Sequence, residues 1–205
     1  MEFVKQGVLA GRELDHIVHE MTLCKDKVVD AEVYNNKTSS LDVSTRISSV
    51  YFTKPTESSY THTILQSLVI QSYANDPFPM TYSNISEAQF VRYETGGFFK
   101  WHSDVISPGD RQDALYRTLT FSMNVNAGYT GGDLEVLHGE NAIKLGREVG
   151  SYIIFPSFLY HQAHVVSSGY REAIVVWIRE PKSILATFQK QYASQHGQIT
   201  KPESF

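Results

Sequence analysis

From Ile85 to Ile178 the chain consists of short β-branched and aromatic runs separated by glycine turns. No other feature constrains the fold as strongly. Ala88–Tyr93 and Phe98–Asp104 flank Glu94-Thr95-Gly96-Gly97 and predict a hairpin. Arg117–Asn126 alternates and stops at Gly128 and the Gly131-Gly132 turn. Asp133–Leu137, Ser151–Phe155, His161–Val166 and Arg171–Ile178 supply further strands. Many short strands at regular spacing predict a sandwich or barrel, because each strand has a face to bury against a second layer.

Helical signals lie on either side of this block. Leu14, Ile17, Val18, Met21 and Leu23 recur at helical spacing between about Arg12 and Leu23. A second helix is expected from about Thr61 to Tyr73, with Ile64, Leu65, Leu68 and Val69 inward, stopped by Asn75-Asp76-Pro77 and Pro79. Between them, the polar stretch Asn35–Thr45 reads as a loop. A last helix follows Pro181 over about residues 182–195. The expected class is therefore mainly β with flanking α, in one domain spanning 1–205. Helical support occupies about 1–84, the β core about 85–180, and the C-terminal helix closes the chain. A length of 205 residues with 41% hydrophobic content is enough for one sizeable core.

A net charge of −4 provides no basic field for phosphate backbones, so no nucleic-acid partner is expected. The single cysteine, Cys24, rules out an intramolecular disulfide and a thiolate cluster. With no basic-then-apolar leader and no bilayer-length apolar stretch, the expected setting is the cytoplasm, without a membrane. Oligomeric state is not readable from the residues.

His102-Ser103-Asp104 is the first chemical signal. Residues i and i+2 of a strand share a face, so an imidazole and a carboxylate can converge on one ion. Alone, such a pair is commonly a surface feature. His161, after the apolar Phe155–Tyr160, offers a third ligand. Two histidines and one carboxylate occupy one face of an octahedron and leave room for O₂ and a keto acid, as in non-haem Fe(II) oxygenases. His164 competes with His161, but an offset of three turns it to the other side of a strand. His138 reads as a turn residue, while His16, His19, His62 and His196 fall in helices or the tail, where exposure is expected. Arg171 opens an apolar strand ten residues after His161. It is either a rim arginine or a bidentate partner for the distal carboxylate of 2-oxoglutarate. Strict alternation would put Lys100 inward beside the ligands, an unfavourable place for a cation.

The order and spacing of these motifs resemble the prolyl 4-hydroxylase-like branch of the Fe(II)/2-oxoglutarate-dependent oxygenases. His102-Ser103-Asp104, Phe155-Pro156-Ser157-x-x-x-His161 and Gly169-x-Arg171-x-x-x-x-x-Trp177 carry the likeness. The lead-in Phe90-Val91-Arg92-Tyr93-x-x-Gly96-x-x-x-Lys100-x-His102 and the turn Gly131-Gly132-Asp133-Leu134 add to it. The likeness covers about residues 88–180. It implies a double-stranded β-helix, or jelly roll, with Fe(II) near its open end, 2-oxoglutarate as cosubstrate and stimulation by ascorbate. Tyr93 would bond 2-oxoglutarate or shape its pocket, Arg171 would bind the distal carboxylate, and Trp177 would pack on the same strand. Asn124 stands where relatives carry a cosubstrate-binding tyrosine, and Val175 replaces a hydroxyl-bearing residue, so a related keto acid stays open. The implied reaction oxidises a substrate C–H bond with release of succinate and CO₂. The implied target is a protein or peptide side chain, proline first, with residues 105–114 as a substrate loop. A free amino acid or other small molecule is the alternative substrate. A non-catalytic jelly-roll binding module is the alternative from another class.

Overall fold

The computed structural model describes residues 2–35, 38–78, 80–105 and 114–202. Two sheets form the body. The major sheet runs, in spatial order, Lys5–Val8 (β1), Ser151–Pro156 (β13), Leu115–Asn124 (β9), Arg171–Pro181 (β16), Ala88–Tyr93 (β7), Ser49–Thr53 (β6) and Val29–Asp30 (β2). The minor sheet runs Asn141–Lys144 (β12), Leu134–His138 (β11), His161–Ala163 (β14), Phe98–His102 (β8) and Arg46–Ile47 (β5). Thr130–Gly131 (β10) pairs with Val166–Ser168 (β15), and Val33–Asn35 (β3) with Thr38–Ser40 (β4). All these pairings are antiparallel. The chain passes between the two sheets from β7 to β8, β8 to β9, β9 to β11, β12 to β13, β13 to β14 and β14 to β16. That connectivity matches a jelly roll.

Alternation along the major-sheet strands separates two environments. On β9, Leu119, Phe121 and Met123 are buried, and in register with them lie Ile178, Val176 and Ile174 of β16. This apolar face joins one core with Ile17 and Met21 of helix α1 (Arg12–Cys24) and Ile64, Leu65 and Val69 of α2 (Ser59–Tyr73). Leu185, Phe188 and Tyr192 of α3 (Lys182–His196) complete it. On the other face, Thr120 and Ser122 of β9 and Val175 and Trp177 of β16 line a cavity between the sheets. The fold thus buries helices on one side of the major sheet and frees the other side for a site.

Several expectations change. Residues 1–84, read as helical support, also supply β1, β2 and β6 of the major sheet. The segment read as a loop over Asn35–Thr45 carries β4, paired with β3, because backbone pairing needs no apolar signal. The single strand expected over His161–Val166 is two short ones, β14 and β15. Leu23 lies outside the apolar face of α1 and is 62% exposed. His62, expected at the surface, is buried: its Nδ1 donates to Ser58 O and its Nε2 accepts from Ala88 N–H. No helix among the described residues is long and apolar enough to cross a membrane.

Candidate metal and cosubstrate site

A cavity of about 260 Å³ opens between the sheets, and His102, Asp104 and His161 meet on its wall. One ligand-type atom from each lies within 4.8 Å of the others. His102 and His161 are cross-strand partners on β8 and β14, so register alone brings the imidazoles together. Their ring centres are 4.1 Å apart. Asp104 sits two residues past the end of β8, held there by its N–H, which donates to Ser157 O at 2.8 Å. Its Oδ1 is 3.7 Å from His102 Nε2 and its Oδ2 is 3.5 Å from His161 Nε2.

The surrounding bonds prepare these groups as ligands. A carbonyl can only accept, so the contacts His102 Nδ1–Lys100 O (2.7 Å) and His161 Nδ1–Leu159 O (3.1 Å) place each ring proton on Nδ1. Both Nε2 atoms are left facing Asp104. Asp104 Oδ2 accepts from Trp177 Nε1 at 2.8 Å and from Thr120 Oγ1 at 2.9 Å. Burial opposes ionisation of Asp104, but His161, His102, Arg117 and the Trp177 donor outweigh it and hold the carboxyl at about 2. Burial, reinforced by His161, pushes His102 down to about 3 and keeps its imidazole neutral. Two imidazole Nε2 atoms and an ionised carboxylate are a donor set suited to a divalent first-row metal.

Arg171 begins β16 opposite Tyr93 of β7, and both face the cavity. Only 2% of Arg171 is exposed. Its Nε donates to Asn124 Oδ1 at 3.0 Å, and Asn124 Nδ2 in turn donates to Gly146 O at 2.7 Å. Arg171 Nη2 is buried with no hydrogen-bond partner among the described residues. An unpaired guanidinium nitrogen facing a cavity fits an incoming carboxylate. Gly132, at φ +66°, lies against this arginine; a Cβ there would be 3.4 Å from Arg171 Cδ.

The structure thus brings His102, Asp104 and His161 together, with Arg171 and Tyr93 along the same wall. Asn124 contacts Arg171 and is not itself a wall residue, and the Trp177 indole reaches Asp104. His164 turns away: its Nε2 is 2.6 Å from Glu135 Oε2 on the outer side of the minor sheet. The segment 105–114, read as a substrate loop, is described only at its two ends.

Two bulges explain what alternation alone misplaces. Between β8 and β14, Phe99 pairs with Ala163 and His102 with His161, so β8 spends one extra residue over that interval. The extra residue turns Phe99 and His102 to the same side and leaves Lys100 exposed, which resolves its predicted conflict. Between β9 and β16, Leu119 pairs with Ile178 and Arg117 with Arg179. Skipping Thr118 brings Arg117 onto the cavity wall, where parity would have pointed it away. Arg117, Arg46, Thr120 and Phe99 are site residues that sequence reasoning missed. Only the bulges or the β5–β8 pairing put Arg117, Phe99 and Arg46 there, while Thr120 faces the cavity by plain alternation on β9.

These features define a class: a jelly roll holding a His/His/Asp set beside a buried, half-satisfied arginine. Comparison with known proteins shows what this part of the chain is similar to. Residues 88–179 match the family model of the 2OG-Fe(II) oxygenase superfamily. A PKHD-type hydroxylase of Thermosynechococcus vestitus is 34% identical over 94 residues, 44% of this chain and 41% of that protein. A PKHD-type hydroxylase of a Psychrobacter species is 35% identical over 98 residues, 44% of this chain and 36% of that protein. The chain spans less than half the length of these curated relatives. Among solved structures, a Pseudomonas putida prolyl-4-hydroxylase superposes with a TM-score of 0.68 at 16% identity, covering 88% of this chain and 94% of that one. A Trichoplax adhaerens prolyl hydroxylase, in complex with a hypoxia inducible factor oxygen degradation domain peptide fragment, gives 0.67 at 14% identity, covering 90% and 86%. At such identities the superpositions show the fold. Residues 88–179 are thus similar to the 2OG-Fe(II) oxygenase superfamily, and the fold they belong to is the one seen in the prolyl hydroxylase structures.

Proposed function

We propose that this protein is an Fe(II)- and 2-oxoglutarate-dependent oxygenase of protein or peptide side chains, proline first. The observation that carries the cofactor reading is the buried, unpartnered Arg171 Nη2, which shares one cavity with His102, Asp104 and His161. In this reading those three residues hold the iron. The keto acid's distal carboxylate pairs with Arg171, and Tyr93 flanks it.

When bound, iron and 2-oxoglutarate supply the oxidation: one atom of O₂ enters the substrate C–H bond and the other enters the succinate formed as CO₂ leaves. The protein's own part is orientation. The Lys100 and Leu159 carbonyls fix both imidazole tautomers, and Trp177 and Thr120 fix the carboxylate plane. Asn124 holds the Arg171 fork in line for a carboxylate. Valine, tryptophan and phenylalanine on the wall limit water around the reacting groups. The peptide reading draws support from the peptide-bound Trichoplax neighbour and from the exposed apolar residues Ile47 and Phe52 on strands beside the cavity.

Anaerobic titration with Fe(II) and then 2-oxoglutarate, followed by optical absorption, tests the cofactor reading. A new visible band that needs both additions is expected. No band at saturating concentrations rejects the reading. Incubation with peptides, free amino acids and iron, ascorbate and 2-oxoglutarate in air, read by mass spectrometry, tests the substrate. Oxidation of a free amino acid with no modified peptide would replace the peptide reading with the small-molecule one.

A further inference from the structure

Two more arginines share the cavity with Arg171. Arg46 of β5 lies across from Phe99, its Cζ 4.6 Å from the ring centre, and Phe99 stacks on His102 with ring centres 3.4 Å apart. Arg117 of β9 lies over Trp177, its Cζ 3.6 Å from the ring centre, and Trp177 donates to Asp104. Each guanidinium is therefore one aromatic plate away from a candidate iron ligand. The two arrangements come from different sheets and meet at the same place.

Neither arginine has a carboxylate partner among the described residues: no carboxylate lies within ion-pair distance of Arg46 or Arg117. Arg46 is buried, and its Nε donates to Ser48 Oγ at 2.7 Å. Desolvating a guanidinium without a carboxylate partner opposes folding; for Arg117 the nearby Asp104 offsets part of that cost, while Arg179 and Arg46 add repulsion. Stacking alone does not need a charge, since an apolar side chain would cover Phe99 or Trp177 without the desolvation cost. A planar donor fork held on an aromatic plate is instead preorganised for a carboxylate.

The charge balance of the loaded site points the same way. Ferrous iron and the two carboxylates of 2-oxoglutarate cancel. Among the described wall residues, Arg46, Arg117 and Arg171 then face two carboxylates, Asp104 and Glu32, and outnumber them by one.

We propose that Arg46 and Arg117 together bind a carboxylate of the substrate, so that the oxidised C–H bond belongs to a residue or molecule bearing an acid group close by. This rests on the oxygenase reading and narrows it. The acid group has three sources: an acidic side chain beside the target residue, a free C-terminus, or the α-carboxylate of a free amino acid.

The test is calorimetric binding under anaerobic conditions to the protein loaded with Fe(II) and 2-oxoglutarate. Three matched pairs separate the sources: N-acetyl-Pro-Glu-amide against N-acetyl-Pro-Gln-amide, N-acetyl-Gly-Pro against its C-terminal amide, and L-proline against prolinamide. At least one acid is expected to bind about tenfold or more tighter than its amide. Arg46→Gln and Arg117→Gln should each erode that preference, and Arg117→Lys should restore part of it. If Arg117→Gln does not fold, Arg46→Gln and Arg117→Lys carry the comparison. Equal affinity within every pair, no binding of any acid, or a preference that survives both glutamine substitutions overturns the proposal. The iron- and keto-acid-dependent absorption of the same wild-type sample reports the oxygenase reading separately. Absorption present with no acid preference sinks only the carboxylate proposal.

Discussion

Asp104 divides its work between its two oxygens. Trp177 and Thr120 donate to Oδ2, while Oδ1 faces His102. The carboxylate plane is therefore set by neighbours that are not ligands, and the histidine tautomers are set by backbone carbonyls. Alanine at His102, Asp104 or His161 should abolish succinate formation with little loss of folding, whereas His164→Ala should retain most of it. A dead His164→Ala with an active His161→Ala would reverse the ligand assignment. Arg171→Ala should weaken 2-oxoglutarate binding by roughly 2–5 kcal/mol, seen as a raised KM for the keto acid with metal affinity nearly unchanged. The partly buried His102 also leaves a pH signature in the metal-free protein. His102 falls from an ordinary 6.5 to about 3 on folding. Between those values the unfolded chain takes up a proton that the folded one refuses, so stability falls as pH drops through that window. Asp104 contributes nothing between pH 7 and pH 5, because its stabilising ionisation is lost only as pH falls through its ordinary 3.8. Thermal unfolding of the chelated protein should therefore drop more between pH 7 and pH 5 in the wild type than in His102→Gln. Equal drops would show that His102 is not the group responsible.

At the scale of elements, short irregularities decide where side chains point. The extra residue in β8 ejects Lys100 and pairs Phe99 with His102, and the skipped Thr118 in β9 turns Arg117 inward. The Gly131-Gly132 turn is a third such device. Gly131 has φ +70°, and a Cβ on it would run into the Val165 carbonyl and lie 2.9 Å from Ser167 N. Both obstacles are backbone and cannot rotate away. Gly131→Ala should therefore destabilise the protein by about 1–3 kcal/mol. Because the next residue lies against Arg171, it should also raise the KM for 2-oxoglutarate. Denaturant unfolding together with a keto-acid titration checks both parts, and an unshifted unfolding midpoint would count against this account of the turn.

Across the whole molecule, one sheet separates stability from chemistry. Its helix-facing side carries the large apolar core, closed at one end by Phe188 against Phe3, Phe78 and Phe158. Its other side carries the cavity wall. Phe188→Ala should cost about 3–5 kcal/mol through the space it empties. Iron affinity of the molecules still folded should stay near the wild-type value. Equilibrium unfolding and metal titration of the same variant separate the two effects, and a parallel loss of iron affinity would show that core and site are coupled.

Local chemistry determined much of this protein in advance. The β-rich middle, the three helices, the strand Ala88–Tyr93 and the residues His102, Asp104, His161 and Arg171 could all be read from periodicity, turn residues and motif spacing. Those features rest on interactions between residues close in the chain, or on residue types rare enough to stand out. Strands β1 and β6 could not be read that way, because each is placed by a partner more than thirty residues away in the chain. Nor could Arg46, which reaches the cavity only because β5 pairs with β8. Arg117 was hidden for a different reason: the sequence alternates smoothly through Thr118, and the bulge that reverses the parity is a compromise between two strands. Register is a property of pairs, so which cations face the candidate iron site was decided only when the sheets came together.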